Sequence, residues 1–185
     1  MPTIRRFLPL LALSVLAACG DDDNLPEPTE ENFVDTVTVG SLTDTPIATA
    51  SGFAVISGPI RTDLDPAFDF AYDILGAPDT GHSVLLPRAV LGIPSGGTAE
   101  PGLMRRDEAF DAIDAAPSNG YVTEESVPIA LGERYIVRSR VTCPLAVPYY
   151  AKIEIIGLED NSLILKVLAN RNCGYRGLEP GFPDR

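Results

Sequence analysis

From Phe33 onward, short runs of apolar and polar residues alternate with a period of two and are punctuated by Gly, Pro, Asn and Asp. That spacing places successive side chains on opposite faces of a strand, so it predicts an antiparallel β protein. The clearest run is Ala67–Leu75, where Phe68, Phe70, Tyr72 and Ile74 alternate with Asp69, Ala71 and Asp73. One face is expected to enter a core while the two carboxylates stay in water. Weaker strands are predicted at Val34–Val39, Gly52–Ser57, His82–Leu86 and Ser126–Leu131. In the last third, Arg134–Val141, Tyr150–Ile156 and Leu163–Val167 follow one another across turn-rich joints, which predicts a three-stranded meander. Its inward residues are Tyr135, Val137, Val141, Ala151, Ile153, Ile155, Leu163, Leu165 and Val167, with Arg138, Arg140, Lys152 and Glu154 outward. One short helix is predicted over Arg106–Ala115, because Phe110 and Ile113 lie three apart and Pro117 stops further turns. The fold class expected is all-β, an antiparallel sandwich or barrel-like body with that one helix.

The N-terminus follows a different rule. Arg5 and Arg6 precede an apolar run from Phe7 to Leu16, and Ala17, Ala18 and Cys19 close it. The run is shorter than the roughly 20 residues a membrane span needs and reads as an export signal. Its ending resembles a bacterial lipobox. The resemblance implies removal of residues 1–18 and lipid modification of Cys19, palmitate included, in an envelope lipoprotein. Gly20 after that cysteine, where an inner-membrane protein would carry Asp, implies the outer membrane of a Gram-negative cell. The periplasmic or surface side stays open.

Residues 19–32 then read as the lipidated cysteine and a flexible acidic tether. Gly20–Asn32 is acid-rich, holds two prolines and has one large apolar residue, Leu25, so it has little to bury. Fully extended, it would reach roughly 45 Å. The remainder, 33–185, suits a single domain.

The 14 Lys and Arg are outnumbered by 26 Asp and Glu. Loss of Arg5 and Arg6 leaves the mature chain at about −14, which makes nucleic acid and anionic lipid surfaces poor partners. The expected partners are the membrane, through the anchor, and an envelope protein. With Cys19 acylated, Cys143 and Cys173 remain as a pair in a compartment that permits disulfides. Both follow predicted strands that end on one side of the meander, so a bridge would pin the Gly- and Pro-rich tail.

Candidate chemistry is sparse. His82 is the only histidine, no GxSxG occurs, and Ser83 beside His82 would point to the opposite face of a strand. Asp63, Asp65 and Asp69 supply closely spaced oxygens but lack the calcium-loop pattern. Asp107, Glu108, Asp111 and Asp114 crowd the predicted helix and read as solvated charge. Two carboxylates suffice for glycoside hydrolysis, yet the chain has no Trp and is only 7% aromatic, which disfavours a sugar-stacking cleft. Tyr149 and Tyr150 are candidates to line a surface pocket. No metal site is assigned, and no cofactor is required by these residues.

At FDFAYDI (Phe68–Ile74), RYIVRSR and YYAKIEI (within Arg134–Ile155), the order of elements resembles the HmuY-like haem-binding lipoproteins, over about half of the mature chain. That resemblance implies an all-β lipoprotein that holds haem through axial side chains, for which this chain offers His82 and Met104. Neither is matched to a ligand position of that family. The expectation is therefore a lipid-anchored, non-enzymatic binding or interaction module. A carrier of haem or another small hydrophobic molecule is the first alternative, and a carboxylate-based hydrolase the second.

Overall fold

A computed structural model describes residues 25–76 and 80–184. Cys19 and the signal-like run lie outside the described residues. Among the described residues, ten strands form two antiparallel five-stranded sheets: β1 (Val34–Gly40), β2 (Gly52–Ala54), β3 (Gly58–Ile60), β4 (Phe70–Leu75), β5 (His82–Pro87), β6 (Gly102–Arg106), β7 (Val127–Pro128), β8 (Arg134–Val141), β9 (Pro148–Glu159) and β10 (Ser162–Asn170). The first sheet has the order β1-β10-β9-β8-β6 and the second the order β3-β2-β4-β5-β7.

The predicted meander is β8-β9-β10, with Tyr135 opposite Ile153 and Val167 opposite the same residue on the far side. Its inward residues meet Phe53, Phe70, Tyr72 and Leu85 of the second sheet in the main core, except Val141, which lies past a register shift after Arg138 and outside that core. Between β9 and β10 the turn consists of Asp160 and Asn161, both at positive φ (43° and 64°), inside the pair Glu159–Ser162. Two left-handed residues match the twist of a tight hairpin, and Asp and Asn tolerate that region better than other side chains.

Residues 106–115 do not form the predicted helix. Only Phe110–Ala112 makes a 3₁₀ turn, and Ala115 bridges to Gly177 in extended form. Tertiary packing explains the difference. Phe110, Ile113 and Ala116 spread over the outer face of the meander, on Ile136, Tyr150 and Leu168, with Leu178 of the tail beside them. A continuous helix would lift one of these side chains off that surface. Lys152 points outward as predicted but is covered: its Nζ donates to the Ile113 carbonyl at 2.9 Å and lies 4.7 Å from the Phe110 ring centre. Burial holds this amine below its usual pKa.

Asp69 and Asp73 are buried, not wet as the alternation predicted. The strand begins only at Phe70, and a bend at Asp69 breaks the period of two. Phe68 consequently lies outside the main core, under the Arg88 guanidinium at 5.9 Å. Asp73 is covered by the corner after β1, where Ser41 Oγ and Thr43 Oγ1 donate to its Oδ1 at 2.7 and 2.8 Å.

Cys143 and Cys173 are bridged, with Cα atoms 5.6 Å apart, within the ordinary range for a disulfide. They follow β8 and β10 as predicted, and the bridge holds the tail at that end of the sheet. Residues 25–32, expected as free tether, lie against this tail. The amides of Thr29 and Glu30 donate to Asn172 Oδ1, Tyr175 Oη donates to the Pro26 carbonyl, and Asn32 and Gly181 exchange main-chain bonds. The polar and Pro-rich composition that argued against self-ordering did not account for hydrogen bonds supplied by Asn172 and the tail.

Candidate binding cleft

The two sheets part at one side, where β1 and β10 of the first face β2 and β3 of the second. They leave a cleft of about 120 Å³ there. Alternation along β1 sends Phe33, Asp35, Val37 and Val39 inward. Val39 is fully buried in the core, Val37 packs against it, and Phe33 and Asp35 line the cleft. Phe53 and Val55 form the floor from β2 and its turn, Pro59 adds a wall from β3, and Val167 and Ala169 contribute from β10. Phe53 is itself held by stacking on Phe70, with ring centres 5.3 Å apart. Such a floor is preorganised.

The rim is polar. Glu31 and Asp35 line it, and Arg171 places its guanidinium 6.0 Å from the Phe33 ring centre. Its Nε is buried with no hydrogen-bond partner among the described residues. Phe33 is 58% exposed, the cost of which a seated apolar group would remove.

Asp69 fixes the floor. Its Oδ2 accepts from the Val55 amide at 2.8 Å, and its Oδ1 accepts from the Arg140 amide, also at 2.8 Å. One carboxylate thereby ties the β2–β3 turn to the end of β8 on the opposite sheet. Gly58, at φ 78°, supplies the left-handed residue with which this three-residue turn closes onto β3. Burial pushes the Asp69 carboxyl up to about 6, against the two amides and the nearby Arg140 and Arg88 charges, which hold it down.

The residues singled out from the sequence do not assemble into one site. His82 is exposed at the start of β5, opposite Leu75 of the second sheet. Met104 lies on β6 of the first sheet, packed with the outer cluster. Tyr150 is buried in that same cluster, its ring 6.3 Å from Tyr121, whereas Tyr149 faces the other side of β9 and packs against the main core. Adjacent strand residues point apart, so the two tyrosines share no pocket. Asp63 pairs with Arg61 at 2.7 Å, Asp65 accepts from the Ala67 amide, and Asp69 turns into the interior. Among the described residues no group of three or more His, Cys, Asp or Glu side chains converges as metal ligands do.

The cleft itself escaped the sequence reading. Its walls come from residues 31–37, 53–59 and 167–171, and no single segment carries a motif. The inward alternation of Phe33, Asp35 and Val37 was the available signal. Comparisons with protein-family models, with curated proteins and with solved structures found no match.

Proposed function

We propose that this chain is a lipid-anchored, non-enzymatic interaction module of a Gram-negative envelope, and that the cleft between β1 and β3 receives one apolar side chain of a partner protein. The observation that carries the reading is the size of the cleft together with its floor. At about 120 Å³ it falls below the roughly 300–1,000 Å³ of small-molecule sites and near the roughly 150 Å³ that admits one benzene ring. A rigid pocket for one aromatic or aliphatic anchor, rimmed by charge, is how protein interfaces concentrate their binding energy.

The anchor rests on Cys19. Leu25 already packs beside Gly174, next to the disulfide, so five residues separate Cys19 from the packed part of the chain. Six Cα steps span at most roughly 20 Å, which would hold the disulfide end of the sandwich close to the headgroups. Membrane fractionation tests the anchor: the wild-type chain partitions with membranes and its processing is blocked by globomycin, whereas Cys19→Ser loses the lipid. A Cys19→Ser protein that still partitions with membranes would overturn it. Occupancy of the cleft is tested by titrating the processed protein with indole and reading the Val37, Val55 and Val167 methyl resonances.

A further inference from the structure

We infer that β1 is a docking edge, to which a partner adds an extended segment that pairs with the strand and carries a cation two residues from the apolar side chain seated in the cleft. The inference rests on the proposed role of the cleft and names the kind of partner. A sheet edge is a row of unused main-chain donors and acceptors, and proteins usually shorten, cover or interrupt it. Three of the four edges here are treated in that way. β3 is three residues long with Pro59 at its centre, and β7 is two residues long and ends in Pro128. β6 is covered, because Leu103 and Val122 exchange both main-chain bonds, at 3.0 and 2.9 Å. β1 is different. It runs for seven residues, VDTVTVG, with no proline and no lysine; Asn32–Gly181 pairing closes the row before it and the Gly40–Ala50 bond closes its end, which leaves Val34–Thr38 uncovered among the described residues.

The direction of its free groups follows from one bond. The Thr36 amide donates to the Asp35 carboxylate at 2.7 Å and not to β10. In an antiparallel pair, residues alternate between facing the partner and facing away, so Val34, Thr36 and Thr38 present their amides and carbonyls to the open side. Residues of an added strand that lie beside Phe33, Asp35 and Val37 then share the inward face and point at the cleft.

Charge selects among occupants. Glu31 and Asp35 line this mouth, and the whole chain carries a net −12. A cation beside Asp35 draws its carboxylate off the Thr36 amide and frees that donor for the incoming strand. A carbonyl of the segment can accept from the buried Nε of Arg171, which has no partner among the described residues. A second copy of this chain would instead set two strongly acidic surfaces against each other, and an acidic segment would meet the same repulsion.

The probe is acetyl-Thr-Val-Thr-Lys-Thr-Phe-amide, whose Val, Lys and Phe fall beside Val37, Asp35 and Phe33 in an antiparallel addition. It is titrated against the processed protein in mild detergent, with hydrogen exchange of the β1 amides and cleft methyl shifts as readouts. The expected result is slowed exchange at Val34, Thr36 and Thr38, and binding at least about tenfold tighter than that of the peptide with Glu in place of Lys. Asp35→Lys reverses that preference. Thr36→Pro removes an edge donor without touching the β10 ladder, so the thermal midpoint holds while binding falls at least about tenfold. Equal binding of the two peptides, undiminished binding by Thr36→Pro, or a dimer that Thr36→Pro dissociates would each overturn the inference. Loss of peptide binding with indole still shifting Val55 overturns the strand addition alone. Loss of both overturns the cleft reading as well.

Discussion

Asp69 and Arg140 join the two sheets: a carboxylate that precedes β4 accepts the main-chain amide of a residue at the end of β8, 2.8 Å away, while its other oxygen holds Val55 beneath the cleft. Replacing that carboxylate leaves two donors without acceptors inside the sandwich. Asp69→Ala is therefore expected to destabilise the domain by about 3 kcal/mol, since each unsatisfied buried group costs about 1–3 kcal/mol. Urea unfolding checks the loss. Hydrogen exchange at Val55 and Arg140 should rise before exchange in the β9–β10 hairpin.

The same residue sets a pH dependence of unusual sign. Its folded carboxyl, pushed up to about 6 by burial, holds a proton more tightly than an unfolded aspartate at roughly 3.9. Folding takes up that proton between the two values. The contribution of Asp69 to stability thus grows as the pH falls from 7 to 4, by about 2 to 3 kcal/mol, and is lost as the pH rises through 6. Carboxyl resonances titrated by NMR check the shift, and Asp69→Asn should flatten this component of the stability profile.

The disulfide secures the layer formed by the tail and residues 25–32. Closing a loop with a sequence separation of 30 is worth about 3 to 4 kcal/mol in the chain-entropy account. Cys143→Ser with Cys173→Ser should lower stability by that order. Exchange should increase first at Asn32, Asn172 and Tyr175, whose bonds tie the two segments, and the amides of β8 to β10 should respond only at higher denaturant.

Phe110 acts as the lid of the outer cluster, lying 4.7 Å from the Lys152 amine and 4.1 Å from that of Lys166. Phe110→Ala removes a buried ring and exposes the Lys152 stem, at an expected cost of about 3 to 4 kcal/mol. A denaturant series measures it. Because Phe110 lies on the outer face of the first sheet, indole binding at the cleft should be unchanged.

Much of the sandwich was legible in the sequence, because the core-facing residues from Tyr135 to Val137 and from Ala151 to Val167 follow a period of two and Asp160-Asn161 marks the hairpin. The pattern failed wherever chain segments distant in sequence supplied the decisive contacts. The bend that turns Asp69 inward is stabilised by amides 14 and 71 residues away, which no local window contains. The segment after Arg106 has a helical spacing, yet its apolar residues fit a sheet surface better than a helix face. His82 and Met104 were singled out by side-chain type, and sheet topology places them on different sheets. Phe33 and Arg171 drew no notice, because their chemistry arises from each other and from a gap between sheets.

Binding in the gap beside Phe33 and Val55 is read out by methyl NMR of the processed protein with indole, in wild type and in Ala169→Phe. Ala169 lines the cleft and is partly exposed, so a phenyl group there occupies the space without entering the core. A binding site in this cleft gives saturable shifts at Val37, Val55 and Val167 in the wild type and loses them in Ala169→Phe at unchanged stability. Unshifted cleft methyls in the wild type, or shifts that persist in Ala169→Phe, would contradict it.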